Sequence, residues 1–243
     1  MSAALELTGI GVVLRGRPVL TGLDLRVTPG ECRALVGLNG AGKTTALRVS
    51  LGMLPPGTGR ARLLGHDLAR APRALWSRVG HLVETPACYP ELTARENLEC
   101  GARLRGVEMD RWRPVAMRMA RDLDLDRWLD TPVRRLSLGT RQKVGLVGAL
   151  AHGPALAVLD EPTNGLDPLA VVAFRNLLGE ATASGGAVLV TSHHFDELAR
   201  VADRVDVLHR GRVVDSLTPD GRDLERTFFA TILAADRATA GRP

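Results

Sequence analysis

Short apolar runs separated by turn residues make up the first 36 residues of the chain. The runs occupy residues 5–7, 12–14, 19–20 and 23–27, and Pro29-Gly30 follows them. Runs of this length, bounded by turn residues, are typical of β-strands. The pattern predicts a small antiparallel sheet at the amino-terminal end.

Farther along, apolar runs alternate with helical patterns. A helix is predicted at 44–53, and a shorter one at 70–78 that starts near Pro72. Strands are predicted from the apolar runs at 34–36, 61–64, 79–83, 155–159, 187–190, 205–208 and 212–214. Because strands that alternate with helices form a mostly parallel sheet, the chain is predicted to be an α/β protein.

The segment 93–151 has a helical pattern throughout. Thr93 and Glu96 have the spacing of a capping box, which marks the start of a helix. Since predicted strands lie on both sides of this segment, we interpret it as a helical subdomain inserted into a single domain spanning residues 1–243. Only the last residues, 238–243, are predicted to be disordered.

The length and composition favour one domain inside the cell. With 243 residues, 45% of them hydrophobic, the chain can bury a full α/β core. No basic segment followed by an apolar one opens the sequence, so we expect no secretory signal. The longest uncharged stretch, 144–159, is shorter than the roughly 20 apolar residues that a membrane helix needs. We therefore expect an intracellular protein that does not itself span a membrane.

Cysteines and charge narrow the functional classes further. The three cysteines show no CxxC spacing, which predicts free thiols rather than a disulfide framework or a zinc site. A net charge of +5 could indicate a nucleic-acid partner. However, the arginines are dispersed among nearly as many acids, and aromatic residues for base stacking make up only 3% of the chain. We expect no nucleic-acid partner.

Residues 37–44 fit the phosphate-binding pattern GxxxxGK[ST] and follow the strand predicted at 34–36. Backbone N–H groups of such a loop, together with the start of the next helix, can surround phosphate oxygens. Lys43 supplies a mobile cation for the β- and γ-phosphates, and the Thr44 hydroxyl can ligate Mg²⁺. The candidate phosphate-binding residues are Gly37, Asn39, Gly40, Ala41, Gly42, Lys43, Thr44 and Thr45. A glycine-rich turn without a ligand is the alternative.

A pair of carboxylates ends the strand predicted at 155–159. Asp160 and Glu161 lie at the carboxyl end of that strand, where ligands bind in open α/β sheets. Asp160 can hold Mg²⁺, and Glu161 can orient and deprotonate an attacking water. Acids at strand ends also occur as ordinary caps without a ligand. Together with the phosphate loop, however, these two predict nucleoside triphosphate hydrolysis.

Three further segments resemble motifs of ATP-binding cassette (ABC) proteins. Residues 136–143, Leu-Ser-Leu-Gly-Thr-Arg-Gln-Lys, resemble the LSGGQ signature. Residues 164–167 resemble the D-loop, and residues 191–193 resemble the strand end that carries the switch histidine. The resemblance implies a RecA-like P-loop core with an antiparallel β subdomain and a helical insertion, ATP and Mg²⁺ as cofactors, and His193 in contact with the γ-phosphate.

The same resemblance implies a homodimer of cassettes arranged head to tail. In that arrangement ATP bound at Lys43 of one copy is completed by Ser137 and Gly139 of the other. Ser137 is predicted to open a helix whose N-terminus can donate to a phosphate. One copy of each motif in the chain means that two cassettes are needed, most simply as a homodimer.

The sequence departs from the family pattern at two informative positions. Leu14 stands where most cassettes have an aromatic that stacks on adenine, so weak base selectivity is predicted. Glu84 stands where most have the Q-loop glutamine, as in bacitracin-resistance and lantibiotic-immunity exporters. In that reading Glu84 is a further candidate ligand of Mg²⁺; the alternative is a neutral change in a solvated loop.

The resemblance implies the ATPase subunit of a bacterial exporter, with a separate membrane permease and peptide antibiotics or similar drugs as cargo. Such a subunit is peripheral on the inner face of the cell membrane. Two alternatives remain: a soluble cassette protein acting on DNA or the ribosome, and a regulatory nucleotide-binding module without turnover. The first usually has a coiled-coil insertion or tandem cassettes, and this sequence shows neither heptads nor a repeat. The second is encouraged by Leu14 and by an altered signature, with Leu138 and Thr140 where Gly and Gln are commonest, but the intact Lys43, Asp160, Glu161 and His193 argue against it.

Overall fold

In the computed structural model, which describes residues 3–192, 200–219 and 223–240, the strands form two sheets. The first has four strands in the order β2-β1-β4-β5, and all its pairings are antiparallel. Its strands are β1 (Leu5–Leu14), β2 (Arg17–Val27), β4 (Thr58–Leu63) and β5 (His66–Asp67). The predicted amino-terminal antiparallel sheet is therefore present.

The second sheet has six strands in the order β10-β9-β3-β8-β7-β6. Its pairings are parallel, except for the β9–β10 hairpin. Its strands are β3 (Cys32–Val36), β6 (Val79–Leu82), β7 (Leu156–Leu159), β8 (Ala187–Thr191), β9 (Arg204–His209) and β10 (Arg212–Leu217). The crossovers place the carboxyl ends of β3, β6, β7 and β8 at one edge, where the candidate site lies.

Six α-helices are described. Three of them, α2, α3 and α4, fall within the segment 93–151, and α2 begins with the predicted capping box between Thr93 and Glu96. The helices are α1 (Lys43–Ser50), α2 (Ala94–Leu104), α3 (Met109–Asp122), α4 (Leu138–Leu150), α5 (Pro168–Ala183) and α6 (Leu224–Ala240). The division into a core and an inserted helical subdomain remains a proposal.

The central strands of the six-stranded sheet are buried on both faces, and their side chains alternate between two cores. On β3, Ala34 faces a core shared with helices α2 to α5, whereas Leu35 faces a core shared with the antiparallel sheet and α1. On β7, Ala157 and Val158 divide in the same way. This burial on both faces explains why these strands are continuous apolar runs in the sequence.

Two predictions about the chain's ends need correction. The amino-terminal runs are not separate short strands but parts of the long strands β1 and β2, which continue through irregularities where Gly9 and Gly22 have positive φ. At the other end, α6 extends to Ala240, so the segment predicted to be disordered is helical at residues 238–240. Apolar residues of α6, including Phe228 and Ile232, pack into the core and extend the helix beyond what the local composition suggests.

The three cysteines are unpaired, as predicted. Burial raises the pKa of Cys32 to about 12, so this thiol stays protonated and unreactive. Across the described ranges, no helix combines the length and the apolar character needed to cross a bilayer.

Candidate functional site

The phosphate-binding segment connects the end of β3 to the first residue of α1. Gly40 and Gly42 have φ values of 79° and 109°, which residues with a Cβ adopt only at a cost. A Cβ on Gly37 would lie 2.5 Å from the Leu208 carbonyl oxygen, so that position also requires glycine. Because Gly42 is the N-cap of α1 and has no capping side chain, the first N–H groups of the helix are left to an outside acceptor.

The turn between β9 and β10 braces this loop from the side. The Gly211 N–H donates to the Ala41 carbonyl at 3.1 Å. The same turn is tied to β2, where the Thr21 N–H donates to the Gly211 carbonyl at 3.0 Å. Backbone hydrogen bonds through this turn therefore connect the loop to both sheets.

The Lys43 side chain crosses the loop. Its ammonium group donates to the Gly37 carbonyl at 2.7 Å and to the Leu38 carbonyl at 3.5 Å. Leu38, Asn39 and Gly40 are exposed at the tip of the loop. A cation is therefore held against a loop whose backbone N–H groups can bind an anion.

The Thr44 hydroxyl and the two carboxylates meet at the edge of the parallel sheet. Thr44 Oγ1 donates to Asp160 Oδ2 at 2.9 Å, and Thr191 Oγ1 donates to Asp160 Oδ1 at 2.6 Å. The Glu161 N–H in turn donates to Thr191 Oγ1 at 2.9 Å. Glu161 has a φ of 45°, an uncommon value for a residue with a side chain, held here by its neighbours.

These oxygens fit a magnesium ion held jointly with a phosphate. Among the described residues, no three His, Cys, Asp or Glu side chains form a cluster that could bind a metal ion. Mg²⁺ commonly takes one or two protein oxygens and completes its shell with phosphates and water. The contact between Thr44 and Asp160, with Asp160 only 7% exposed, provides a donor set of that kind.

Glu84 lies two residues beyond the end of β6 and has a φ of 63°. Its carboxylate is held by Arg48 of α1, whose Nη2 lies 2.6 Å from both Oε1 and Oε2. Hydrogen bonding and charge attraction from Glu84 raise the pKa of Arg48. The structure therefore gives this candidate metal ligand a cationic partner within the chain.

The signature residues form a second cluster. Ser137 caps α4, because its Oγ accepts from the Thr140 N–H at 3.1 Å. A Cβ on Gly139 would collide with the Gly165 carbonyl oxygen, so glycine at 139 lets the start of α4 approach the loop before α5. Ser137 and its neighbour Leu138 are exposed, the latter by 62%.

Helix α4 also links the two clusters. Gln142 Nε2 donates to the Pro162 carbonyl at 3.2 Å, directly after the carboxylate pair. The Lys143 ammonium donates to Asp167 Oδ2 at 2.8 Å, and this contact lowers the pKa of Asp167. Both side chains are buried, so a displacement of α4 would also displace Pro162, the residue that follows Glu161.

Two sequence-predicted residues need separate mention. His193 lies outside the described residues, although Thr191, two positions earlier, is at the site. Leu14 is the last residue of β1 and is 36% exposed. Leu14 provides apolar area but no aromatic surface for a base.

Sequence reasoning did not assign roles to four residues that contact the candidate site: Arg48, Gln142, Lys143 and Thr191. The sequence contains one signal, and it concerns Lys143. The chain has only two lysines beside thirty arginines, and the other lysine is Lys43 of the phosphate loop. The contacts of Arg48 and Thr191 join residues that are 36 and 31 positions apart, and no local pattern reveals them.

Comparison with known proteins extends these observations. The ABC transporter family model matches residues 20–164. The bacitracin transport ATP-binding protein BcrA of Bacillus licheniformis is 31% identical over 90% of this chain, which spans 71% of that protein. BcrA of Enterococcus faecalis is 34% identical over 82% of this chain, which spans 64% of that protein. The Nod factor export ATP-binding protein I of Paraburkholderia xenovorans is 35% identical over 89% of this chain and 71% of its own length.

Solved structures agree on the fold. A structure of the ATP-binding subunit of an ABC transporter is 33% identical, superposes with a TM-score of 0.85 and covers 93% of each chain. A nucleotide-free ATP-binding cassette from an ABC transporter, 22% identical, has a TM-score of 0.77. These matches confirm the predicted α/β fold with a P-loop core, and this chain belongs to the ABC transporter family as an ATP-binding subunit.

Proposed function

We propose that this chain hydrolyses ATP to drive a bacterial exporter whose membrane-spanning subunit is a separate polypeptide. The contact of Thr44 with Asp160, next to Glu161 and one residue from Lys43, carries this proposal. It brings a candidate phosphate ligand, a candidate metal ligand and a candidate base to one sheet edge. Family membership supports ATP binding, and the residue roles are our assignment.

In this proposal each residue has a distinct role. Lys43 and the backbone N–H groups of residues 37–45 bind the phosphates, while Thr44 and Asp160 hold Mg²⁺. When bound, Mg²⁺ neutralises charge that develops on the phosphates. Glu161 orients the attacking water and accepts its proton, and His193 contacts the γ-phosphate.

We further propose that two copies of the chain form one active unit. The cluster of Ser137 and Gly139 is joined to Gly165, and exposed apolar residues, Leu138 and Leu169, flank it. An exposed helix N-terminus beside apolar side chains is suited to meeting the phosphates bound to another copy. Membrane attachment at the inner face of the cell membrane would then come through the permease.

For the cargo, we propose a peptide antibiotic or a similar drug. The two bacitracin transport relatives and the glutamate at position 84 support this class. The Nod factor relative supports export as the direction.

Purification of the tagged chain from gently solubilised membranes tests the proposed partner. We expect an integral membrane protein to be recovered with it in stoichiometric amount, and to increase its ATPase rate when the two are combined. Recovery with ribosomes or DNA, together with no stimulation by membrane proteins, would contradict the exporter proposal.

Base selectivity gives a separate prediction. Because Leu14 lacks a π-face, competition binding should show less than a hundredfold preference for ATP over GTP. Leu14→Tyr should tighten ATP binding by about 0.5–1.5 kcal/mol, the contribution of a stacked aromatic. Leu14→Ala serves as the control, since it removes only apolar area. A much larger preference for ATP in the unmodified chain would show that another residue recognises the base.

A further inference from the structure

The contact between Arg48 and Glu84 is unusual in its geometry. A single guanidinium nitrogen, Nη2, approaches both carboxylate oxygens at 2.6 Å. Glu84 reaches this position with a left-handed backbone, at φ 63°. A non-glycine residue in that region costs free energy, so the surrounding structure holds the Glu84 backbone in this conformation.

The pair lies beside the candidate magnesium ligands. Strand β6 runs parallel to β7, with Leu82 opposite Leu159, and the Asp160 N–H donates to the Leu82 carbonyl at 2.7 Å. Glu84 therefore follows the strand end adjacent to Asp160. Arg48 lies four residues after Thr44 on α1, which places the two on one face of the helix.

Electrostatic attraction connects Arg48 to Asp160 as well as to Glu84. The Asp160 carboxylate contributes to the raised pKa of Arg48, although less than Glu84 does. Arg48 thus lies within the field of both carboxylates, Glu84 and Asp160. Any second cation that enters this edge of the sheet meets the same two acids.

Solvent exposure makes the pair easy to open. The side chains of Arg48 and Glu84 are 40% and 54% exposed. Ion pairs with this exposure contribute little to stability, because water screens the charges and both side chains lose freedom. A carboxylate held so weakly can exchange one cation for another at small cost.

We propose that Arg48 is a positioning residue that competes with Mg²⁺ for the Glu84 carboxylate. This inference rests on the proposed function, because it takes Thr44 and Asp160 as the magnesium site. A carboxylate close to ATP phosphates is unfavourable without a compensating cation. Arg48 supplies that cation within the chain, and Glu84 must leave it in order to approach the metal.

The proposed competition for the Glu84 carboxylate determines whether each substitution should strengthen or weaken metal binding. Arg48→Gln leaves Glu84 free to bind the metal, so the metal should bind more tightly. In a chain that already carries Glu84→Gln, the same Arg48 substitution should have a clearly smaller effect, because only the weaker interaction of Arg48 with Asp160 remains. Arg48→Lys should stay close to the parent, since one nitrogen makes both contacts and a lysine ammonium can replace it.

Binding of Mn²⁺, followed by electron paramagnetic resonance in the presence of ATP, measures this directly. All variants carry Glu161→Gln, so that turnover does not consume the ATP. Arg48→Gln should lower the Mn²⁺ dissociation constant about two- to fivefold, the range expected for an exposed ion pair. Arg111→Gln, which removes an 86% exposed arginine that pairs with Glu108, is the matched control and should leave the constant unchanged.

The outcomes separate this inference from the proposed function. Unchanged or weaker Mn²⁺ binding in Arg48→Gln, with normal ATP binding, overturns the competition. An Arg48→Gln effect that is undiminished alongside Glu84→Gln overturns it as well. If the Glu161→Gln parent binds neither ATP nor Mn²⁺, the assignment of the site itself fails.

The dependence of turnover on magnesium provides a second readout. Glu84→Gln should keep ATP binding but alter the ATPase rate as a function of Mg²⁺ concentration, with and without the membrane subunit. Glutamate at this position should make activity depend more on Mg²⁺ and on the partner than glutamine does. Superimposable curves for the two chains would return Glu84 to a solvated loop position without a role.

Discussion

Lys43→Ala is expected to abolish ATP binding at physiological ATP concentrations. The Lys43 ammonium lies at the entrance of the loop, 2.7 Å from the Gly37 carbonyl, and is the candidate cation for two phosphates. Hydrogen bonds to charged groups contribute about 1.5–3 kcal/mol each, so the loss of two weakens binding by about 10²- to 10⁴-fold. Equilibrium binding of ATP by calorimetry measures the effect.

Two further variants make the Lys43 result specific. Lys43→Arg keeps the charge but replaces a compact ammonium on a flexible stem with a planar fork, and we expect it to bind ATP poorly as well. Arg111→Ala removes an exposed cation elsewhere and should bind ATP normally. Thermal unfolding confirms that each variant is folded. Normal ATP affinity in Lys43→Ala would refute the assignment of the phosphate site.

Glu161→Gln is expected to leave ATP binding intact and to slow hydrolysis by about 10²-fold or more. Glutamine has nearly the same shape as glutamate but cannot accept the proton of the attacking water, and general-base catalysis contributes on this scale. The Glu161 N–H donates to Thr191 Oγ1, and this contact does not involve the Glu161 carboxylate and should survive. Single-turnover phosphate release, compared with ATP binding to the same protein, separates the two effects.

A dimer trapped by ATP is the second expected property of Glu161→Gln. If two copies close around ATP and hydrolysis reopens them, a slow variant should elute from gel filtration as a dimer with ATP and as a monomer without it. Glu180→Gln is the matched control, because that carboxylate pairs with Arg118 outside the candidate site. A fully active Glu161→Gln chain would move the base elsewhere, with His193 as the next candidate.

The absence of turnover in the unmodified chain would have a different meaning. It would favour a regulatory nucleotide-binding module, the reading to which Leu14 and the altered signature point. The ties from Gln142 and Lys143 of α4 to residues 162 and 167 would then transmit nucleotide binding alone rather than a hydrolysis cycle. Measuring ATP hydrolysis by the isolated chain and by the chain with its membrane partner distinguishes these cases.

Much of the fold follows from local patterns. The parallel strands of the six-stranded sheet are present with ends within two residues of the prediction, because burial on both faces requires continuous apolar runs that are visible in the sequence. The exposed strand β10 continues three residues beyond the predicted end. The capping box of α2 is present for the same local reason. The long strands β1 and β2 were divided wrongly, because Gly9 and Gly22 look like turn residues but act as irregularities within the strands.

The sequence alone determined the family and the candidate site residues that are contiguous in the chain, which are the phosphate loop and the adjacent Asp160 and Glu161. Only the tertiary structure decided which distant residues meet. Strand order places β6 beside β7, so the segment that carries Glu84 follows the strand paired with the one before Asp160, and Glu84 meets Arg48 there. Thr191 joins Asp160 for the same reason, through the pairing of β7 with β8. The physical reason is that sequence periodicity reports whether a residue is buried, whereas its partner across the sheet depends on strand order and register.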